Sequence, residues 1–147
     1  MSSKIEAIMI FEVLGKPPEH LVETLEDIIK RIGQEKGLKV TEKKVNEPRK
    51  FKEDDDIYTT FAEVSIESDN TLALIAVLFK FMPAHVEIIS PENINMKNLE
   101  WNEIINEVAR RLHGYDEVAR VLQTENMILE RKLKEILGEK DDRDIEG

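Results

Sequence analysis

Apolar residues recur at every second position at the start of the chain. In residues 4–14 this alternation predicts a β-strand whose odd-numbered side chains face a core. The opposite face carries Ile8 and Ile10 between Glu6 and Glu12, so it is only half apolar. Such a strand is typical of the centre of a sheet that is fully covered on one side and partly covered on the other.

Five further elements follow before residue 91. In chain order they are a helix from Pro18 that ends before Gly37, a lysine-rich strand over 38–47, a strand over 57–67, a helix over 71–82 and a strand over 85–90. The helix over 71–82 is apolar almost all round, which predicts that it is deeply buried.

The order strand, helix, strand, strand, helix, strand predicts an α+β fold. We expect a ferredoxin-like βαββαβ antiparallel sandwich over residues 1–97, with both helices on one face of four strands. That topology puts the first and third strands in the centre, and these are the most apolar ones. It puts the lysine-rich strand at an edge, where lysines protect against unwanted pairing.

The remainder of the chain predicts a helical extension. A helix over Asn98–His113 is expected to stop at Gly114, and a second helix runs over Tyr115–Leu137. The second helix has a coiled-coil-like apolar stripe with seven-residue spacing: Tyr115, Ala119, Leu122, Asn126, Leu129, Leu133 and Ile136. The extension is assigned to residues 98–138, and residues 139–147 form a charged tail.

This stripe predicts an oligomer interface. A polar Asn126 inside an apolar stripe is typical of coiled coils, where it fixes register and strand number. Parallel pairing sets Glu125 near Glu130 of the partner, whereas antiparallel pairing sets it near Lys132, so the charges favour antiparallel association. Two alternatives are packing against Asn98–His113 and completion of a monomer core.

A second candidate surface is the face of the sheet opposite the two helices. Its apolar residues are Ile8, Ile10, Ile57 and Phe61. Burial of one such side chain contributes roughly 1.5–3 kcal/mol. We therefore expect this open sheet face to be covered by the C-terminal helices or by another subunit.

Composition excludes several classes of protein. The 147 residues include 21 basic and 31 acidic side chains, for a net charge of −10, which disfavours nucleic acid and anionic membranes. The absence of cysteine excludes disulfides, thiolate catalysis and Cys-based metal sites. The longest apolar run, 72–79, is too short for a membrane span, and we expect a cytoplasmic protein with a thermophile-like composition.

No catalytic constellation has a specific spacing. The three histidines, His20, His85 and His113, fall on separate elements, and no glycine-rich phosphate loop is present. The acidic run from Glu53 to Asp56 lacks the ligand spacing of a calcium loop and is expected to be a solvated loop. We therefore expect no enzyme activity, no metal and no cofactor.

Two alternative functions stay open. The segment 36–52 is basic, and it offers RNA phosphates a contact through Lys43, Lys44, Arg49, Lys50 and Lys52. RNA recognition motifs also run βαββαβ, but here Phe11 lies on the core face and Tyr58 and Phe61 point to opposite sides, so the base-stacking platform is missing.

The other alternative comes from the turn after the first strand. Its Gly15 and Pro17 resemble the first turn of regulatory ACT-type domains, and this resemblance implies a small-ligand site at a subunit interface. The favoured prediction remains a non-catalytic interaction or assembly module. It self-associates through the C-terminal helix and the open sheet face.

Overall fold

The described part of the chain contains five strands and three helices. The computed structural model describes residues 4–53 and 56–146. The elements are β1 (Ile5–Gly15), α1 (Pro18–Gly33), β2 (Leu38–Val45), β3 (Arg49–Lys50), β4 (Tyr58–Ser68), α2 (Thr71–Phe81), β5 (His85–Ser90) and α3 (Asn98–Glu146). The predicted α+β class is confirmed.

The strands form one antiparallel sheet in the order β2-β4-β1-β5, with β3 also paired to β4. The two most apolar strands, β1 and β4, are central, and the lysine-rich β2 lies at an edge, as the patterns predicted. The sheet has five strands rather than the predicted four, because the segment Arg49–Lys50 pairs where a loop was expected.

β3 resumes pairing along the same edge of β4 that β2 leaves. The last β2 pair is Val45 with Ala62, and the first β3 pair is Arg49 with Thr59. Pro48 lies between β2 and β3, and it has no N–H group to donate to the backbone hydrogen bonds with β4. The N–H of Asn46 still donates to the carbonyl of Phe61 at 2.9 Å, so the edge remains tied to β4 between the two strands.

The core lies between one sheet face and helices α1 and α2. Alternate residues of the central strands and one stripe of each helix are buried: Ile5, Ala7, Met9, Phe11, Ala62, Val64 and Ile66 from the sheet, and Leu25, Ile29, Ile32, Leu74 and Val77 from the helices. This separation of faces follows the period-2 and period-3.6 spacings of the sequence.

Each core helix has local signals at its ends. α1 begins with Pro18, which fits the first helical turn, and it carries Lys30 and Arg31 in its last turn, where they complement the helix dipole. α2 begins at the Asn70 side chain, which accepts a hydrogen bond from the N–H of Ala73 at 2.8 Å. Met82 follows its last residue as the C-terminal cap, with a left-handed φ of 49°.

The prediction that α2 is deeply buried is wrong. Leu74 and Val77 are its buried residues, while the rest of the helix is half-buried or exposed. One stripe packs on the sheet, and Leu72 is on the exposed part of the helix. An apolar composition all round a helix therefore did not mean burial all round.

The chain divides into two compact units, Met1–Ile104 and Ile105–Gly147. The first residues of α3 belong to the first unit, where Ile104 is 7% exposed. The predicted interruption at Gly114 is wrong, since α3 is one helix of 49 residues. It also continues through most of the segment predicted as a charged tail, as far as Glu146.

Gly114 is tolerated inside α3 at a modest cost. A glycine in a helix destabilises it by roughly 0.5–1 kcal/mol relative to alanine, which the strong helix formers around it offset. In the described parts of the chain, no helix combines the length and apolarity needed to cross a bilayer.

Candidate functional site

One face of the helical unit carries a continuous row of predicted interface residues. Because α3 is unbroken at Gly114, the stripe predicted after that glycine continues at the same spacing through Leu112, Val108 and Ile105 before it. The resulting row, which we call the seam, has alternating steps of three and four residues: Ile105, Val108, Leu112, Tyr115, Ala119, Leu122, Asn126, Leu129, Leu133 and Ile136. It spans ~47 Å of helix.

All seven residues predicted for the oligomer interface therefore lie on this one helix face. Their larger apolar side chains are between 41% exposed, at Tyr115, and 62% exposed, at Leu129. Since Ile105–Glu146 is one helix, residues 115–137 cannot fold back onto the Asn98–His113 segment, so that alternative is removed. The other alternative, in which these residues complete the core of a monomer, does not agree with their exposure.

The seam residues alternate between two coiled-coil positions. In heptad notation Ile105, Leu112, Ala119, Asn126 and Leu133 occupy position a, and the other five occupy position d. The flanking e and g positions between residues 111 and 132 are polar or charged except for Val118: Arg111, Asp116, Gln123, Glu125, Glu130 and Lys132. Polar flanks therefore bound the middle of the row, whereas the e positions at its two ends are the apolar residues Ala109 and Leu137.

Ion pairs within α3 hold several of the charged side chains. Glu107 accepts from Arg110 at 2.6 Å and from Arg111 at 2.9 Å, and Asp116 pairs with Arg120 at 2.9 Å. The hydrogen bonds from Arg110 and then Arg111 hold the pKa of Glu107 below its ordinary value. Pairs at these spacings support the helix itself.

The open sheet face places three of its four predicted residues together. Ile8 lies opposite Ser65 of β4, Ile10 opposite Glu63, and Glu12 opposite Phe61. Ile8, Ile10 and Phe61 are therefore neighbours on two adjacent strands, with Phe61 diagonal to Ile10. Ile8 and Ile10 are half-buried, whereas Phe61 is exposed.

Ile57 lies apart from the other three. It precedes β4, beyond the pair formed by Gly15 and Tyr58, at the far end of the sheet from Ile8. The exposed apolar residues closest to it in the register are Phe51, whose N–H donates to the Ile57 carbonyl at 2.8 Å, and Leu14, which faces Thr59. Leu14, which was not among the predicted residues of the open sheet face, continues the even-numbered face of β1.

Carboxylates frame the three neighbouring apolar residues. By register, the same face presents Glu6, Glu12, Glu63, Glu67 and Glu87, and β2 adds Lys44 opposite Glu63 and Lys39 opposite Glu67. Lys4 forms an ion pair with Glu67 at 3.1 Å, and this hydrogen bond raises the pKa of Lys4. The acids of β4 were visible in the sequence, but their position beside Ile8 and Ile10 required the strand register.

The basic candidate residues lie along one edge of the sheet. Lys43 and Lys44 of β2 pair with Val64 and Glu63, and Arg49 and Lys50 of β3 pair with Thr59 and Tyr58. These side chains and Lys52, which stands 6.0 Å from the centre of the Phe51 ring, are exposed. RNA contact by this edge stays a prediction.

The other candidate chemistry is sparse. The described residues contain no group of three histidines or acids placed to hold a metal ion, and Asp54 and Asp55 of the acidic run lie outside the described residues. A cleft of ≈570 Å³ lies within the first unit, between the start of α2 and residues 91–104. Its walls include Asp69, Glu100 and Glu103. Small-ligand binding stays a prediction.

Comparison with protein families adds one assignment. The model of the MJ0538 family matches residues 6–145. The chain belongs to the MJ0538 family. No curated protein and no solved structure matches the chain.

The match to the MJ0538 family runs through both compact units. It begins in β1 and ends one residue before the last residue of α3. The long helix is thus part of what defines the family, together with the sheet.

Proposed function

We propose that this member of the MJ0538 family is a non-catalytic assembly module in which the C-terminal helix joins copies of the chain through the seam. The observation that carries the proposal is the unbroken row of ten seam residues on one helix face, with its larger apolar side chains exposed. A row with this spacing is what two helices require to pack knobs into holes.

Energetics support a partner for the seam. Long helices gain most of their stability from packing of an apolar face rather than from intrinsic propensity. Covering a side chain such as Leu122 or Leu129 contributes roughly 1.5–3 kcal/mol. Between residues 111 and 132 the e and g positions are polar except for Val118, which keeps the middle of the apolar row narrow and favours a pair of helices over a wider bundle.

The seam proposal is tested by the mass of the full chain in solution. Sedimentation equilibrium is expected to give a concentration-dependent assembly at twice the chain mass of 17.0 kDa. The double variant Leu122→Glu, Leu129→Glu places charges in the seam and is expected to be monomeric. The matched control Thr124→Glu, Arg131→Glu changes the opposite helix face and should keep the wild-type mass. A wild-type protein that stays monomeric at ~100 µM overturns the proposal, because this concentration is far above the dissociation constant of a complex with micromolar affinity.

The open sheet face is the second contact surface in this proposal. This face carries more carboxylates than lysines, so the same face of a second copy is repelled on balance, and the sheet contributes less to self-association than the seam does. The variant Ile10→Lys is expected to leave the mass of the assembly unchanged. If the Ile10→Lys protein is monomeric, the open sheet face rather than the seam is the main contact surface.

We also propose that the first unit is a ferredoxin-like fold with an interrupted edge. Support comes from β3, which continues β2 along the same edge of β4. Taking β2 and β3 as one interrupted strand leaves four strands, in which the first and third are central and the second and fourth lie at the edges. An experimental structure of the full chain tests this arrangement.

A further inference from the structure

The seam contains one residue that discriminates between the possible arrangements of two helices. Asn126 occupies position a and is the only amide in the seam. An amide carries both donors and acceptors, and it is costly to bury without partners. The residue that faces Asn126 across the helix pair therefore has a strong influence on which arrangement is stable.

Antiparallel arrangements place each a residue opposite a d residue of the second copy. The register that brings Glu125 next to Lys132 also sets Asn126 against Leu129 and leaves the amide unpaired. An exposed ion pair gains less than an unpaired buried amide loses. This register is therefore disfavoured, although the flanking charges alone selected it.

A second antiparallel register covers the whole seam. It sets Asn126 opposite Tyr115 of the second copy, whose hydroxyl is a suitable partner. The same register brings Arg111 close to Lys132 of the second copy, and this happens twice in a symmetric pair. Its flanking charges are thus repulsive.

A parallel, in-register pair satisfies the amide by symmetry. Asn126 then faces Asn126 of the second copy, and each amide can donate to the other. Arg111 lies near Asp116 of the second copy, which is attractive, while Glu125 lies near Glu130, which is repulsive. The flanking charges nearly cancel, and every apolar seam residue from Ile105 to Ile136 is covered.

We propose that two copies associate as a parallel, in-register coiled coil in which the Asn126 side chains hydrogen-bond to each other. The inference rests on the proposed function, since it specifies how the seam self-associates.

Spin labels test the orientation in the full chain. The protein has no cysteine, so Arg110→Cys and Arg131→Cys each give one labelling site on the helix face opposite the seam. The two positions are ~32 Å apart along the helix. Distances are measured by pulsed electron paramagnetic resonance in dimers of one variant and in mixed dimers of the two.

The parallel arrangement predicts a short distance in Arg110→Cys dimers as well as in Arg131→Cys dimers, and a longer one in mixed dimers. A long distance in Arg110→Cys dimers overturns the parallel orientation but leaves self-association through the seam intact, because both antiparallel registers separate the two Arg110 positions by ~30 Å or more. Absence of dipolar coupling together with a monomeric mass overturns both the inference and the proposed function. A tetrameric mass, with Val118, Val121 and Ile128 recruited into a wider contact, overturns the two-stranded arrangement.

The amide itself is tested by Asn126→Leu. A leucine at this position removes the polar layer that fixes register, so the dissociation constant is expected to fall at least tenfold and species larger than a dimer are expected to appear. The matched control Asn106→Leu lies outside the seam and should change neither quantity. An unchanged dissociation constant and mass for Asn126→Leu overturn the role assigned to the amide pair.

Discussion

Phe11 and Phe61 lie on opposite faces of the sheet although they belong to the two neighbouring central strands. Phe11 faces Ala62 and is 2% exposed, whereas Phe61 faces Glu12 and is 40% exposed. The same aromatic side chain is therefore a core residue on one strand and a surface residue on the other.

This relationship predicts unequal effects of truncation. Phe11→Ala leaves a cavity beneath α1 and α2 and is expected to lower the free energy of unfolding by ~3–5 kcal/mol. Phe61→Ala removes a side chain that is already partly solvated, and its effect should be well under half as large. Urea denaturation of both full-length variants checks this, and equal losses would contradict the assignment of faces.

The continuity of α3 predicts that Gly114→Ala stabilises the protein. Gly114 lies at position c, outside the seam, and an added Cβ has no atom within 4 Å to meet. Alanine should therefore increase helix stability by ~0.5–1 kcal/mol per chain. Thermal unfolding followed by circular dichroism measures the gain, and a lowered melting temperature would contradict an unbroken helix.

Gly37 supplies the matched control for that substitution. Its φ of +82° lies in the left-handed region, so Gly37→Ala is expected to destabilise by ~1–2 kcal/mol, even though its Cβ would make only ordinary contacts. The two glycine substitutions thus have opposite predicted signs.

The cap of α2 gives a third prediction. The Asn70 side chain satisfies the N–H of Ala73, and Asn70→Ala is expected to lower the free energy of unfolding by ~1 kcal/mol. The control Asn106→Ala changes an exposed asparagine inside α3 and should not destabilise, since alanine is the better helix former. Equal effects of the two variants in chemical denaturation would remove the capping role of Asn70.

The ion pairs of Glu107 predict a pH dependence. Because its folded-state pKa is lowered, the stabilisation is present above the ordinary value of 4.5 and is lost as the pH falls through the folded-state pKa. Titration of the Glu107 carboxyl by NMR should give a pKa below 4.5. In the double variant Arg110→Gln, Arg111→Gln it should return toward that value, and a titration unchanged by the double variant would exclude these arginines as the cause.

The local sequence patterns predicted where the strands and helices lie better than they predicted how deeply each one is buried. The alternation in residues 4–14 and 57–67 identified the central strands and the correct core face, because side-chain direction along a strand depends on the backbone alone. The apolar composition of α2 did not predict its burial, because burial depends on how much of the helix surface the sheet covers.

For the seam, too, one part was predicted from the sequence and another part required the structure. The seven-residue spacing of the interface residues is a property of the sequence, but its extension to Ile105 depended on the helix continuing through Gly114. A glycine is a weak helix former rather than an absolute break, and its cost is small against the propensities of a helix this long.

The sequence by itself determined the strands β1, β2, β4 and β5, the two core helices, the lysine-rich edge and the spacing of the seam. These follow from short-range periodicity, which each segment carries without reference to the others. The tertiary structure alone decided that Glu63 lies beside Ile10, that Ile57 is separated from Ile8, and that Arg49–Lys50 extends the edge of the sheet. Those relationships depend on strand register, which is set by hydrogen bonds between segments far apart in the chain.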